Sequence, residues 1–547
     1  MPRPRSNVRT VHWWDPARVR RIVTLVLLLG VVLGVIGNEI TLRTDAGLEL
    51  RARWLQRSGR VARAERIYWD LLQKGPVTVP RLVAFLEVHR SAAPALDPRR
   101  VAGVGLPAPK QDRKGGVTDE EVTRFLTRRD LPREVALLGR WAWHAEDVDE
   151  VAYRAQVEEA ADATPPMPWA NHLLARAALS EGRPRTAIQR YLREGLAFPA
   201  RRDDVAQAMR LLVSLEDWTT LERALADPTI GPHAGAWAHF ELAMHRGDVR
   251  GLLRWAVPYT FHFPGWAALA LCTVPALAWL AFLLRLGLLR ESPRLRVPVV
   301  VAAFALGVFS VVPTLLVAGL EERRMHFVET GIVAKDALFF VLGVGLREEA
   351  CKLLAFLPLL PILLKRGNRL DVLVCGALVG LGFAAEENLG YIAHGDLTTA
   401  MARFLTANFF HMALTALAAD ALYEFLRAKE DRSFDFTKTF LILCTIHGAY
   451  DFFLTAHVVE NLSYFAMAVF VVLTRNFLVA VDHARVRAGR GLPLLPVFAV
   501  GMAAVMAASF AYAVAMVGYG LALMSMFEGI LGVGILVYVF FHELDRT

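Results

Sequence analysis

Residues 345–364 read GLREEACKLLAFLPLLPILL. Arg347, Glu348, Glu349 and Lys352 stand at the head of a run that is otherwise almost wholly apolar. Such charges cost little on a soluble surface. In hydrocarbon they are expensive and must face the bundle interior, water or a partner. The competing reading is a charged cap outside the membrane, with the span starting at Cys351. The rest of the chain decides between the two.

The chain has 547 residues, 55% of them hydrophobic, and a mean hydropathy of +0.37. That is too apolar for an ordinary soluble protein and long enough for more than one domain. Residues 40–255 are rich in Arg, Glu and Asp, whereas beyond Gly265 apolar runs of roughly 18–25 residues recur, the length a membrane-spanning helix needs. The expected fold is therefore all-α: a polytopic membrane protein with a helical soluble insert. Ten spans are predicted, at 22–39, 265–284, 297–319, 337–364, 371–394, 399–426, 438–456, 462–482, 494–515 and 519–541. The domains follow as a basic tail over 1–21, an anchor helix over 22–39, an insert over 40–264 and a membrane domain over 265–543. The first apolar run follows a long basic stretch and lacks a small-x-small cleavage site, which favours an uncleaved anchor over a signal peptide.

The net charge of +8 comes from arginines beside apolar runs. No compact basic motif accompanies it, so nucleic acid is not an expected partner. The alternate loops carry Arg285, Arg290, Arg294 and Arg296; Lys365, Arg366 and Arg369; Arg427, Lys429, Arg432 and Lys438; and Arg485, Arg487 and Arg490. Positive loops stay inside, which places both termini in the cytoplasm and the insert outside. The mixed-sign stretch EERRMHFVETGIVAKD is the exception. Cys272, Cys351, Cys375 and Cys444 all lie in apolar runs and form no disulfide framework or zinc spacing.

Within the insert, Gly59, Ala64, Tyr68 and Pro76 recur at identical spacings as Gly182, Ala187, Tyr191 and Pro199. Weaker echoes fall around Glu216 and Gly247. The pattern resembles degenerate tetratricopeptide repeats, which stack into peptide-binding surfaces. A generic helical domain with alanine at its packing positions remains the alternative.

Counting along helices gives the charges a depth. The interval from Glu349 to Lys365 equals that from Asp371 to Glu387 and that from His411 to Arg427. Each interval is ~24 Å at ~1.5 Å per residue, inside a core ~30 Å thick. His447 and Asp451, at i and i+4, share one face of the next span. Lys352 is one turn from Glu348 and can neutralise it. Asp420 and Glu424 sit lower, at the interface. Four successive helices thus deliver ionisable groups near one depth in the outer half of the bilayer. A carboxylate beside an imidazole can take a proton from water and return it to a leaving amine. Asp451 can hold His447 in one tautomer, and an Asn or His can stabilise an oxyanion. The same groups can instead bind a metal.

At these residues the sequence resembles the PrsW-type intramembrane proteases, which group with the CAAX prenyl endopeptidase and bacteriocin-processing proteins. The motifs are Glu348-Glu349-x-x-Lys352, Phe383-x-x-x-Glu387-Asn388, His411 and His447-x-x-x-Asp451, over about residues 297–482. The resemblance implies a glutamic-type endopeptidase of a bacterial inner membrane, with no metal or other cofactor. It would cut a membrane-anchored protein, such as an anti-sigma factor, near the outer face. By the same resemblance Glu348 or Glu349 activates water, Glu387, His411 and His447 complete the site, and Lys352, Phe383, Asn388 and Asp451 support it. The insert, which the family pattern lacks, is expected to bind a peptide or protein outside the cytoplasm. The rival readings are a transporter or channel, a non-enzymatic sensor, and a metal-dependent hydrolase.

Overall fold

The fold is taken from a computed structural model that describes residues 15–92, 116–143, 150–263, 265–289, 292–394, 399–428, 433–487 and 493–545. Most of the basic tail, and Arg290, Lys429, Arg432 and Arg490 of the positive loops, lie outside these residues. Among the described residues every regular element is helical and no strand occurs. The chain divides into two units. One holds residues 1–37, 262–514 and 518–547, the other 38–261 and 515–517.

Helix α1 spans Pro16–Arg43. The insert follows with α2 (Asp45–Arg57), α3 (Val61–Lys74), α4 (Val79–Ala92), α5 (Asp119–Leu126), α6 (Arg133–Trp143), α7 (Glu150–Asp162), α8 (Ala170–Ser180), α9 (Pro184–Ala197), α10 (Asp203–Ser214), α11 (Trp218–Ala226), α12 (Ala236–Arg246) and α13 (Val249–Thr260). The two matching sequence pieces are two helical hairpins, α2–α3 and α8–α9. Gly59 (φ 73°) and Gly182 (φ 70°) turn them in the left-handed region, where a side chain is strained and glycine is not. Ala64 and Tyr68 are buried in the first hairpin, Ala187 and Tyr191 in the second. The weaker echoes fall on turns of the same kind. Glu216 (φ 54°) joins α10 to α11, and Gly247 (φ 67°) joins α12 to α13. After each of these, an aspartate caps the next helix: Asp217 accepts from Thr220 N and Asp248 from Arg250 N, which satisfies otherwise orphan donors.

The membrane unit continues with α14 (Trp266–Leu286), α15 (Pro293–Phe309), α16 (Val311–Met325), α17 (Val333–Leu338), α18 (Arg347–Phe356), α19 (Leu360–Arg366), α20 (Arg369–His394), α21 (Thr399–Leu405), α22 (Ala407–Arg427), α23 (Ser433–Thr455), α24 (Tyr464–Arg487), α25 (Leu495–Val517) and α26 (Tyr519–Asp545). Among the described residues, seven segments are long and apolar enough to cross a membrane: Pro16–Arg43, Trp266–Leu286, Pro293–Met325, Thr399–Arg427, Tyr464–Arg487, Leu495–Val517 and Tyr519–Asp545. The other three predicted spans are helical too, and they carry Glu348 and Glu349, Glu387, and His447 with Asp451. The fourth predicted span, 337–364, is not one helix. A π-helical stretch at Phe339–Leu346 precedes α18, and a short 3-10 turn at Leu357–Leu359 separates α18 from α19. Pro358 and Pro361 remove two helical donors there.

Small residues let these helices approach closely, as is usual where lipid supplies no hydrophobic drive. A Cβ on Gly380 of α20 would strike His411 O and lie 2.9 Å from Met412 Cα of α22. A Cβ on Gly448 of α23 would lie 2.5 Å from Phe340 O and 2.6 Å from Val341 N. These two contacts press α20 onto α22 and α23 onto the π-helical stretch. A core of Trp279, Phe404, Phe409, Phe470, Phe498 and Phe540 fills the remaining space. Trp279 Nε1 donates to Phe404 O at 2.7 Å, so its one polar atom is satisfied.

Candidate active site

The close helix contacts bring the predicted residues into one cluster. Glu349 and Lys352 of α18 are fully buried, and His447 of α23 is 1% exposed. Lys352 Nζ lies 2.6 Å from Glu349 Oε1, 2.9 Å from His411 Nδ1 and 3.7 Å from Glu348 Oε2. The expected ion pair with Glu348 is present but is the longer of the two. Lysine serves Glu349 first, because that carboxylate is the one turned into the bundle. The ammonium also sits 4.4 Å from the centre of the Phe383 ring, a favourable place for a cation.

His447 Nδ1 lies 2.7 Å from Glu349 Oε1. An ionised carboxylate accepts only, so Nδ1 carries a proton. Glu349, not Asp451, thus holds this nitrogen. Asp451 Oδ2 faces the other one, Nε2, at 3.2 Å, with Glu348 Oε2 at 3.6 Å. On the far side, His411 Nε2 meets Glu387 Oε2 at 2.9 Å. With Nδ1 accepting from Lys352, this nitrogen is the donor. Glu387 Oε2 also pairs with Arg403 Nη2 at 3.1 Å. Arg403 Nε donates to Asn388 Oδ1, and Asn388 Nδ2 donates to Asn408 Oδ1 at 2.5 Å. Asn388 therefore supports the cluster from one residue away.

An unbroken chain runs Arg403, Glu387, His411, Lys352, Glu349, His447, and then Glu348 and Asp451. Its charges alternate, so each buried ion has an opposite neighbour. Glu349 Oε2 has no hydrogen-bond partner, but Oε1 of the same carboxylate takes both Lys352 and His447. The chain ends on Glu348, whose Oε2 is buried and has no hydrogen-bond partner either. A buried acceptor left in that state is costly and marks a place for a water, a substrate or an ion.

The cluster also tests the fit of a metal. Four carboxylates, Glu348, Glu349, Glu387 and Asp451, meet only two fixed cations, Lys352 and Arg403, in these ion pairs. Glu348, His411 and His447 each offer a ligand atom, all within 4.8 Å of one another. Two imidazoles and a carboxylate are a catalytic zinc donor set, and Glu349 on His447 Nδ1 is the outer partner such a ligand has. The residues fit a divalent cation, with one exchange: His411 has both nitrogens engaged and must release Lys352 or Glu387 to bind it.

Sequence reading missed Arg403 and Asn408. The signal for Arg403 was present, a lone cation in an otherwise apolar run shortly before His411. Its direction was not, because the chain breaks at Thr406 between α21 and α22. Asp420 pairs with Arg369 at 2.7 Å, away from the cluster.

Residues 296–475 match the model of the PrsW family of intramembrane metalloproteases. This part of the chain is a PrsW-type protease segment. The match takes in every residue of the cluster. The protein is accordingly a multi-pass membrane peptidase whose substrates are membrane proteins. The family description names a metal, which leaves the glutamic-type, metal-free expectation without support from the comparison. Comparison with curated proteins and with solved structures gives no match.

Proposed function

We propose that the PrsW-type cluster hydrolyses a peptide bond of a membrane-anchored protein in the outer half of the bilayer, with Glu348 as general base. The observation that carries this reading is Glu348 Oε2, which has no hydrogen bond and only the longer ion pairs to His447 Nε2 at 3.6 Å and Lys352 Nζ at 3.7 Å, at the end of a chain whose other members each hold a hydrogen bond or a close ion pair. Glu349 is bonded to both Lys352 and His447 and has no exposure, so it serves as the positioning carboxylate. Glu348 takes a proton from water as the oxygen adds to the scissile carbonyl. As the C–N bond breaks, that proton passes to the leaving amine. His447, fixed by Glu349, donates to or orients the reacting oxygen. Arg403 and Glu387 hold His411 opposite.

A second reading has its own support in the family description and the charge excess. If Glu348, His411 and His447 hold a divalent cation, the ion polarises the carbonyl and acidifies its water. The residues around it keep the roles of orientation: Glu349 on His447, Lys352 and Glu387 about His411.

The arginine-rich loops support cytoplasmic termini and an extracytoplasmic insert. The hairpins with left-handed turns support a repeat array that presents or withholds a substrate, and an anti-sigma factor is one substrate of that kind. The primary test compares membrane proteomes of cells making the wild-type protein or Glu348→Gln. A membrane protein shortened only with the wild type supports the reading, and identical proteomes refute it. Labelling of a cysteine at Gly182 by a membrane-impermeant thiol reagent tests the side of the insert.

A further inference from the structure

Asp420 and Glu424 lie in a predicted span, away from the catalytic cluster, and the proposed chemistry does not use them. They stand at the mouth of a cavity of about 420 Å³ between α22, α23 and α24, which Arg369 and Thr439 also line. Arg369 donates to Asp420 from Nε at 2.8 Å and from Nη2 at 2.7 Å, which leaves Nη1 unused. Glu424 Oε1 is 3.8 Å from Arg369 Nε, and the Glu424 and Thr439 side chains hold no hydrogen bond among the described residues. Arg427 is turned to Tyr423 and donates to its hydroxyl at 2.7 Å. The mouth therefore sets two carboxylates against one guanidinium, which Asp420 already occupies. What it can still take is a hydrogen-bonding cation.

Behind the mouth the wall is apolar, with Leu417, Leu443, Ile446 and Leu473. Aromatic contacts give its length. Phe425 of α22 faces Phe436 of α23 with ring centres 5.9 Å apart, and Phe410 faces Tyr450 at 4.2 Å. Between these two levels Ile446 stands opposite about residue 414 of α22, ~15 Å from Glu424 at ~1.5 Å per residue. On α24, Phe470 meets Phe409 and Phe410 at 5.8 and 6.3 Å, so Leu473, about one turn further along, reaches the same level. Asn476 also lines the cavity, and its amide donates to Val472 O at 2.9 Å. Glu424 lies in the last turn of α22 with Arg427, at the end of the bundle that carries the basic loops. The cavity thus runs ~15 Å inward from the polar boundary, half of a hydrocarbon core ~30 Å thick and so the depth of one leaflet. A lysine from a partner helix would fill the mouth and leave the apolar length empty. The occupant that fits is an amphiphile with a cationic head and an extended apolar chain.

We propose that this cavity binds one phospholipid with a primary ammonium head, phosphatidylethanolamine, from the leaflet on the side of the basic loops. The ammonium donates to Glu424, with the Thr439 hydroxyl as a further acceptor, and the phosphate accepts from Nη1 of Arg369. Glu424 and Arg369 are close enough, at 3.8 Å, to take the two ends of one ethanolamine phosphate. One acyl chain lies along Leu417, Ile446 and Leu473. Phosphatidylglycerol brings a negative charge that Glu424 repels and no cation in return. Phosphatidylcholine brings a cation without an N–H donor, and so without the charge-assisted hydrogen bond. The bound chain also fills space between α22 and α23, the helices that carry His411 and His447.

The test uses full-length protein in detergent, given equal amounts of phosphatidylethanolamine, phosphatidylglycerol and phosphatidylcholine with the same acyl chains. Retained lipid is read by native mass spectrometry. The wild type keeps one phosphatidylethanolamine per chain in preference to either other lipid. Glu424→Gln lowers that retention about three- to tenfold, the range of a charged hydrogen bond at a half-exposed site, and abolishes the preference. Glycerophosphoethanolamine, the same head without chains, does not displace the lipid at equal concentration. Equal retention of all three lipids, or none, overturns the proposal, the first because the chain alone would then be recognised. A preference for phosphatidylglycerol or phosphatidylcholine overturns it too, as does displacement by the chainless head. A Glu424→Gln protein that melts normally and keeps the wild-type preference does the same. The wild-type comparison needs no variant and decides the matter even if Glu424→Gln fails to fold.

Discussion

Gly448→Ala tests whether helix packing sets the catalytic geometry. The added Cβ would lie 2.5 Å from Phe340 O and 2.6 Å from Val341 N. Ordinary contact begins near 3.4 Å, and both obstacles are backbone, so the helices must separate by about 1 Å rather than a side chain turn aside. His447 is the residue next to Gly448 and moves with it. Its 2.7 Å bond to Glu349 then stretches beyond hydrogen-bonding range, and Nε2 shifts away from Glu348. A displacement of that size costs on the order of 100-fold in rate, while the overpacking itself costs about 1–3 kcal/mol. The assay is cleavage of a membrane substrate found by the proteome comparison, alongside thermal unfolding in detergent. Gly534→Ala is the control, since its Cβ meets nothing within 4 Å. Wild-type cleavage and an unchanged melt for Gly448→Ala would refute the close approach and the positioning argument built on it.

Lys352→Met leaves the buried Glu349 carboxylate short of its cation and destabilises the protein by about 3–5 kcal/mol; Lys352→Met with Glu349→Gln recovers much of this, as a double-mutant cycle on thermal unfolding will read. If the cation reading holds, elemental analysis of the purified protein finds about one zinc or similar ion per chain, lost in His411→Ala and in His447→Ala; wild-type protein that cleaves without metal and is indifferent to chelators favours Glu348 acting alone. In the insert, His89 Nδ1 lies 2.5 Å from Glu65 Oε1 and Nε2 3.0 Å from Asp119 Oδ1. Burial would lower this imidazole, but the two carboxylates overcome that and hold it above its ordinary value of 6.5. Its contribution to stability is therefore complete below about pH 6.5 and is lost as pH rises through the higher folded value. Hydrogen exchange in α3–α5 should accelerate over that range in the wild type and show no such dependence in His89→Gln.

Depth along a helix is nearly a sequence quantity, because the rise per residue is fixed. That is why equal distances from the positive loops located Glu349, Glu387 and His411 together before any contact was known. The hairpin turns were legible for a similar reason. Gly59, Gly182 and Gly247 sit where a left-handed turn favours glycine, and Glu216 kept the spacing without the residue type. Pairing inside the cluster was not legible. Glu348 and Glu349 stand four and three residues before Lys352, and both spacings put a carboxylate beside the ammonium. The choice is made by the bundle: α23 approaches through Gly448, His447 claims Glu349, and Lys352 follows. The bend before α18 and the break at Thr406 are likewise tertiary, so Arg403's part was hidden although its charge was conspicuous.

The question raised by GLREEACKLL has a physical answer in that arrangement. Lys352 alone cannot hold Glu348 and Glu349 in hydrocarbon, since one cation cannot balance two carboxylates. Glu349 is kept because two donors converge on a single oxygen, and those donors arrive from another turn and another helix. Every helix that contributes is drawn in by a glycine contact or by the shared aromatic core. Glu348 is left over: 14% exposed as a side chain, with its buried Oε2 hydrogen-bonded to nothing. A bundle selected for stability alone would have replaced that group with an apolar one, because an unsatisfied buried carboxylate is among the more costly features a fold can carry. Its position, at the end of a chain in which every other ion has a close partner, supports the proposal that the chemistry occurs there, whether the oxygen meets a water directly or an ion that carries one.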